Sequence, residues 1–422
     1  MATTAKSRSP GGVSYDKMAG ALLNNGPFAL LTMPTVAVNP GLIRWAIDRS
    51  GLPVADLRKK FPKLDEWKTG DKQPTFRQLE DFARTTMTPF GFLFLDEPPV
   101  ERLPIPDFRT VGDTPIDRPS PNLIETIHTM QRRQDWMRDL LIEEGHEQLR
   151  FVGSGQRIRN PKSLAERIRQ KLSLDADWAE SLGTWEDALK ILRRAMERIG
   201  ILVFRSSVVG LNNHRHLDPE EFRGFVLCDS YAPVVFVNSA DSKSAQIFTL
   251  AHELTHVWLG TDGLFNLVNM MPSDEEAERF CNRVAAEFLI PGYKLTERWG
   301  EAKATGHPFR TIARWFKVSP VVAARRALDL RLINWPEFIR FYERDKEDWR
   351  RRKAEQRKKK GGGDFYLNQD VRLGRRFANA VIRATREGRI LYRDAYRLTD
   401  LKGETFNRYA DIVLQRMKDE RQ

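Results

Sequence analysis

SKSAQIFTLAHELTHVWLG, residues 242–260, decides how the centre of the chain is read. The flanks IFTLA and VWLG make an apolar helix. Within it, His252-Glu253-Leu254-Thr255-His256 has the form HExxH. Residues four apart share one helix face, so both imidazoles can reach a single metal ion. Glu253 stands beside the first ligand, where its carboxylate can take a proton from a water that the ion activates. An apolar face has no other evident reason to hold two histidines and a glutamate, because buried polar groups must be paired or liganded.

Two histidines do not complete a catalytic site, which usually has three protein ligands. Upstream, ILVFR (201–205), FRGFVLCD (222–229) and APVVFVN (232–238) read as strands, the last two forming a hairpin that turns at Asp229–Ala232. Downstream, DEEAERFCNRVAAEFLI (274–290) reads as a second helix ended by Pro291 and Gly292. It offers Asp274, Glu275, Glu276, Glu278 and Glu287. Glu278 is the expected third ligand. It lies 22 positions after His256 (278 − 256), room for a loop and a return helix. Asn282, one turn on, can bond a ligand imidazole and fix its tautomer. Glu275 is the runner-up, although helix N-terminal charge also accounts for Asp274 and Glu275.

The run FxLxHExxHxxL followed by ExxCNRVAAEFLIP resembles the ImmA/IrrE family of metallopeptidases, whose second motif is typically ExxANxFAxxLLMP. The matching positions are Glu278, Asn282, Ala285, Leu289 and Pro291, with Cys281 in place of the usual alanine. The strand APVVFVN and an Xre-like helix-turn-helix ahead of the peptidase also resemble the family. The resemblance covers residues 39–335. It implies a regulatory peptidase that cleaves a partner transcriptional repressor. Long members with an extra C-terminal unit resemble proteins paired with toxin genes, in an antitoxin-like role. A glutamate as third ligand makes the expected enzyme gluzincin-like. The cofactor is Zn2+, and the ligand set also admits Mn2+.

The resulting fold class is α+β and mostly helical. The expected parts are a flexible arm (1–35), a five-helix Xre-like domain (36–98), and a connector with a helical linker region (99–183). A zincin-like peptidase domain with a small β-sheet (184–335), a charged helix with a Gly linker (336–363) and a helical C-terminal module (364–422) follow. The five N-terminal helices are GLIRWAIDRS, PVADLRKKF, KLDEWKTG, TFRQLEDFARTTM and PFGFLFL. The third would enter the DNA major groove, with Lys59, Lys60, Lys63 and Lys68 as candidate nucleic-acid contacts. Asp65 and Glu66 stand among them, and carboxylates facing phosphates are unfavourable. Docking to protein is the competing use of these helices.

Lysine and arginine (69) exceed aspartate and glutamate (57), a formal charge of +12 that suits a polyanionic partner or a solvated basic surface. The runs RRRK (350–353) and RKKK (357–360) end the charged helix before Gly361–Gly363. The C-terminal module reads as a partner-docking unit or as a cap on the peptidase. Two cysteines without CxxC, no apolar leader and no run of about 18 apolar residues argue against disulfide scaffolds and membrane proteins, and for a cytoplasmic protein.

The leading function is a zinc endopeptidase acting on one protein substrate, such as a repressor or a paired toxin or antitoxin component. The alternative is a DNA-binding antitoxin or transcriptional regulator that keeps zinc without relevant proteolysis. Oxyanion donors are sought among His214, His216 and Tyr231, which precede the motif helix; no spacing selects one, and each also reads as a surface or loop residue.

Overall fold

The computed structural model describes residues 34–101, 103, 105, 110–111, 114–115, 119–265, 276–356 and 365–419. Most of the expected arm, Asp274, Glu275, the RKKK run and Gly361–Gly363 lie outside the described residues. The chain forms two compact units, Met1–Pro99 and Val100–Gln422.

In the first unit, α1 (Pro40–Ser50), α2 (Val54–Lys60), α3 (Leu64–Thr69) and α4 (Phe76–Thr85) precede a 3-10 segment, Phe90–Phe94. The fifth expected helix is therefore the tighter 3-10 form. Asn39 caps α1 ahead of Pro40, and Gly51 ends it in the left-handed region that glycine tolerates. Thr75 and Gln78 close a capping box on α4. Leu42, Ala46, Leu64, Trp67, Leu79 and Phe82 fill the core of this unit.

The second unit begins with a short antiparallel pair, β1 (Thr110–Val111) and β2 (Thr114–Pro115), then α5 (Pro121–Glu143), α6 (Pro161–Leu172) and α7 (Trp185–Arg198). A four-stranded sheet follows from β3 (Leu202–Ser206), β4 (Gly224–Leu227), β5 (Val234–Asn238) and β6 (Gly263–Phe265), in the order β3-β5-β4-β6. β3 runs parallel to β5, while β4 is antiparallel to β5 and β6. The expected hairpin of β4 and β5 is present, with Leu227 opposite Val234.

Every residue of β3, β4 and β5 is buried. The alternation of strand side chains divides them between two cores. Val203, Val226, Val235 and Val237 face the core that holds the motif helix, α8 (Lys243–Leu259). Leu202, Phe204, Phe225, Leu227, Val234 and Phe236 face a second core. Two covered faces explain why the strands read as continuous apolar runs rather than as alternation.

After β6 come α9 (Glu276–Leu289), α10 (Gly292–Ala304), α11 (Pro308–Phe316), α12 (Pro320–Asp329) and α13 (Trp335–Gln356). Both buried arginines near the end of α9 cap its carbonyls: Arg169 donates to Glu287 and Phe288, and Arg326 to Ile290.

The last helices are α14 (Phe365–Leu373), α15 (Arg375–Arg386), α16 (Tyr392–Thr399) and α17 (Gly403–Asp419). The sequence suggests a small separate unit here. In the structure Leu373, Phe377, Val381, Phe406 and Tyr409 share the second core with Phe204, Phe225 and Phe236. Gly374 makes this approach possible. Its φ is +67°, and a Cβ there would lie 2.6 Å from the Val203 carbonyl oxygen and 2.9 Å from Glu197 Oε1. Arg133 of α5 ties the same face together, donating to the Leu398 carbonyl at 2.8 Å and pairing with Asp400 at 3.0 Å. Among the described residues, no helix is long and apolar enough to cross a membrane.

Candidate metal centre

The motif helix α8 starts at Ser242, whose side chain accepts from the Ala245 amide, and stops at Gly260 in the left-handed conformation. It packs against β4, β5, α7 and α9. This burial leaves His252, Glu253 and His256 at 0%, 0% and 3% exposure. The partner helix α9 brings in Glu278, 4% exposed.

Glu278 reaches both imidazoles, with Oε2 3.1 Å from His252 Nε2 and Oε1 3.1 Å from His256 Nε2. The two Nε2 atoms are themselves 3.1 Å apart. Three ligand atoms converge in this way on one buried point. A tetrahedral zinc with bonds of about 2.0–2.1 Å holds its ligand atoms roughly 3.3 Å apart, close to the 3.1 Å between the two Nε2 atoms and between each of them and its nearer Glu278 oxygen.

The outer ring nitrogens fix the tautomers. His252 Nδ1 lies 3.0 Å from Asn282 Oδ1, and His256 Nδ1 lies 3.1 Å from Thr261 Oγ1. Donation from each Nδ1–H to these oxygens leaves both Nε2 lone pairs directed inward, as a metal requires. Burial opposes ionisation of Glu278, yet the two imidazoles outweigh it and hold the carboxyl well below its usual range. A buried anion between two inward lone pairs fits a divalent cation, and the donor set suits zinc.

Glu253 differs from Glu278. Both of its carboxylate oxygens are buried without a hydrogen-bond partner among the described residues. Burial raises its pKa well above the usual value, and Glu278 adds to that while His256 opposes it. Gly224 of β4 forms the floor beneath it: a Cβ there would come within 3.1 Å of Glu253 Oε1. An acid kept ready to exchange a proton, beside a metal-binding triangle, is an arrangement suited to hydrolysis.

Of the other acidic residues that the sequence offers on α9, Glu276 is exposed. Glu287 pairs with Arg326 and accepts from the Gly292 amide. His214 and His216 are exposed on the loop after β3, where Asn122 of α5 donates to the His216 carbonyl. Tyr231 packs against the second core, on the sheet face away from α8. The structure does not bring these three residues to the cluster, because the loop is held on α5 and the tyrosine turns to the opposite face.

Of the lysines in the first unit, Lys59 pairs with Asp56, Lys68 with Asp65, and Lys60 donates to Thr85. Lys63 is exposed at the start of α3. Asp65 and Glu66 are in turn matched by Arg58 and Lys72.

Sequence reasoning missed Thr261 and gave Cys281 no role at the site. Thr261 reaches His256 because Gly260 reverses the chain, and its amide bonds the His256 carbonyl at 3.2 Å. A glycine followed by a hydroxyl residue, four and five positions after the second histidine, is the signal. Cys281 is fully buried beside His256, in the position where the second motif departs from its usual alanine.

Residues 196–328 match the family model described as the IrrE N-terminal-like domain, a peptidase family. Residues 373–412 match a family described only as a domain of unknown function. No curated protein and no solved structure matches the chain. Segment 196–328 is thus similar to the ImmA/IrrE type of metallopeptidase, and it contains the whole His252, His256 and Glu278 cluster.

Proposed function

We propose that the chain is a regulatory zinc endopeptidase of the cytoplasm that cleaves one protein partner, such as a transcriptional repressor or a paired toxin or antitoxin component. His252, His256 and Glu278 hold the metal, and Asn282 and Thr261 orient the two imidazoles. A zinc ion in that triangle supplies Lewis acidity toward a peptide carbonyl and toward water. Glu253 takes the proton of the attacking water and returns it to the leaving amine.

The observation that carries this reading is Glu253 itself. A fully buried carboxylate with two unpartnered oxygens destabilises a fold. A protein that used zinc only for structure would have no reason to keep it, so the DNA-binding regulator without proteolysis is disfavoured. The ligands are at most 4% exposed, so they lie at the bottom of the fold rather than on its surface.

Cells producing the full-length chain or its Glu253→Gln variant provide the test, with newly formed protein N-termini read by mass spectrometry. The reading expects a small set of cleavages that depend on Glu253. Identical N-termini in both cell lines would remove it.

A further inference from the structure

An open cleft of about 590 Å3 lies on the second unit, bordered by α5, α7, α15 and α17. Five arginines line it: Arg194 and Arg198 of α7, and Arg375, Arg376 and Arg383 of α15. Their acidic neighbours in the lining are Glu144 and Glu197. Arg375 also pairs with Asp370 at 3.8 Å, which leaves Arg194, Arg198 and Arg376 outside any ion pair among the described residues.

Both carboxylates are already committed. Glu144 pairs with Arg383 at 2.8 Å and with Arg389 at 2.5 Å. Glu197, 7% exposed, accepts from the Arg375 amide at 2.7 Å and so caps the start of α15. Glu197 also attracts Arg376, but none of Arg194, Arg198 and Arg376 forms a salt bridge among the described residues. The Nε atoms of Arg194 and Arg376 are buried with no hydrogen-bond partner among the described residues. Burial and the nearby Arg383 lower the Arg376 pKa against the pull of Glu197, the mark of a guanidinium short of anions.

Guanidinium groups meet phosphate oxygens with two parallel bonds, and buried donors gain most from such a partner. His146 and Asn379 add polar groups, and Met137 and Leu141 of α5, Ala380 and Met417 of α17 supply an apolar part of the lining. The volume is that of a small-molecule site rather than of a protein-docking surface.

We propose that this cleft binds a nucleotide-sized organic phosphate. The arginines of α7 and α15 hold its phosphates, and the methionine-lined wall covers its apolar part. A ligand with about three negative charges, such as a nucleoside diphosphate, balances the three arginines outside ion pairs. The opposite side of α7 packs through Leu189, Leu192 and Met196 into the core that contains α8, so α7 lies between the cleft and that core.

The test is titration of the full-length protein with a fluorescent methylanthraniloyl derivative of ADP. Unlabelled ADP, inorganic pyrophosphate and an oligo-dT strand serve as competitors. Saturable binding displaced by ADP is expected. Arg194→Gln and Arg376→Gln should each weaken it roughly tenfold, about one charge-assisted hydrogen bond. Arg386→Gln, which removes an exposed pair with Asp411 outside the cleft, should leave it unchanged. Should either cleft variant fail to fold, phenylglyoxal labelling of the wild-type protein decides, with ADP expected to protect Arg194 and Arg376. The proposal is overturned by no saturable binding of the probe or pyrophosphate, by equal affinity in properly folded variants, or by lack of protection. Displacement by oligo-dT alone would overturn it in favour of a nucleic-acid surface.

Discussion

Gly224→Ala should destabilise the second unit by overfilling the seam between β4 and α8. The new Cβ would lie 2.5 Å from Thr249 Cγ2, 2.8 Å from the Phe236 carbonyl oxygen and 3.1 Å from Glu253 Oε1. Ordinary contact starts at 3.4 Å, so Thr249 alone must retreat about 0.9 Å (3.4 − 2.5). Thr249 is 2% exposed in the body of α8 and has little room to do so. The Phe236 oxygen belongs to β5, whose ladder to β4 would be strained by any shift. Overpacking of this kind costs about 1–3 kcal/mol, and two close contacts favour the upper half of that range. Urea denaturation of the metal-free protein measures it. Thr249→Ser removes the clashing methyl and should cost about 1 kcal/mol alone. Combined with Gly224→Ala it should recover part of the loss, a coupling on the order of 0.5–3 kcal/mol. The clash with Phe236 remains, so recovery is incomplete. A neutral Gly224→Ala, or strict additivity in the double variant, would refute the packing described for α8 on the sheet.

Asn282→Ala and Thr261→Ala should each weaken zinc binding by about 10–100-fold while keeping the fold, as chelator competition would read; unchanged affinity would mean that neither side chain orients its imidazole. Glu253→Gln should stabilise the metal-free protein at neutral pH. The folded pKa of Glu253 lies above its ordinary 4.5, so the favourable protonated state is fully present below that pH and is lost as pH rises through the raised folded value. The advantage of the variant should therefore grow with pH above 4.5, and a constant advantage in a denaturation series would contradict the burial effect. Removing residues 364–422 should abolish cooperative unfolding, because Phe204, Phe225 and Phe236 would lose the helices that cover them; a truncated chain with an unchanged melting transition would restore the separate docking module.

The peptidase half was legible because its chemistry is local. HExxH shows both imidazoles on one helix face, and 22 positions to Glu278 suffice for a return helix. Asn282 followed from the same helical spacing. The C-terminal segment was harder to read. Its arginines suggest a solvated face, while its attachment depends on Gly374 meeting Val203, a contact between residues 171 positions apart (374 − 203). Arg133 and Asp400 likewise join distant parts of the chain. His214, His216 and Tyr231 had only their position before α8 to recommend them, and strand order decides which face such residues occupy.

Metal stoichiometry of the purified wild-type chain, measured beside Glu278→Ala under zinc-replete conditions, tests the central claim most directly. The account predicts about one zinc per wild-type chain and a large loss in the variant, since two imidazoles alone leave the site without its anion. Equal zinc in the two proteins, or none in the wild type, would contradict it.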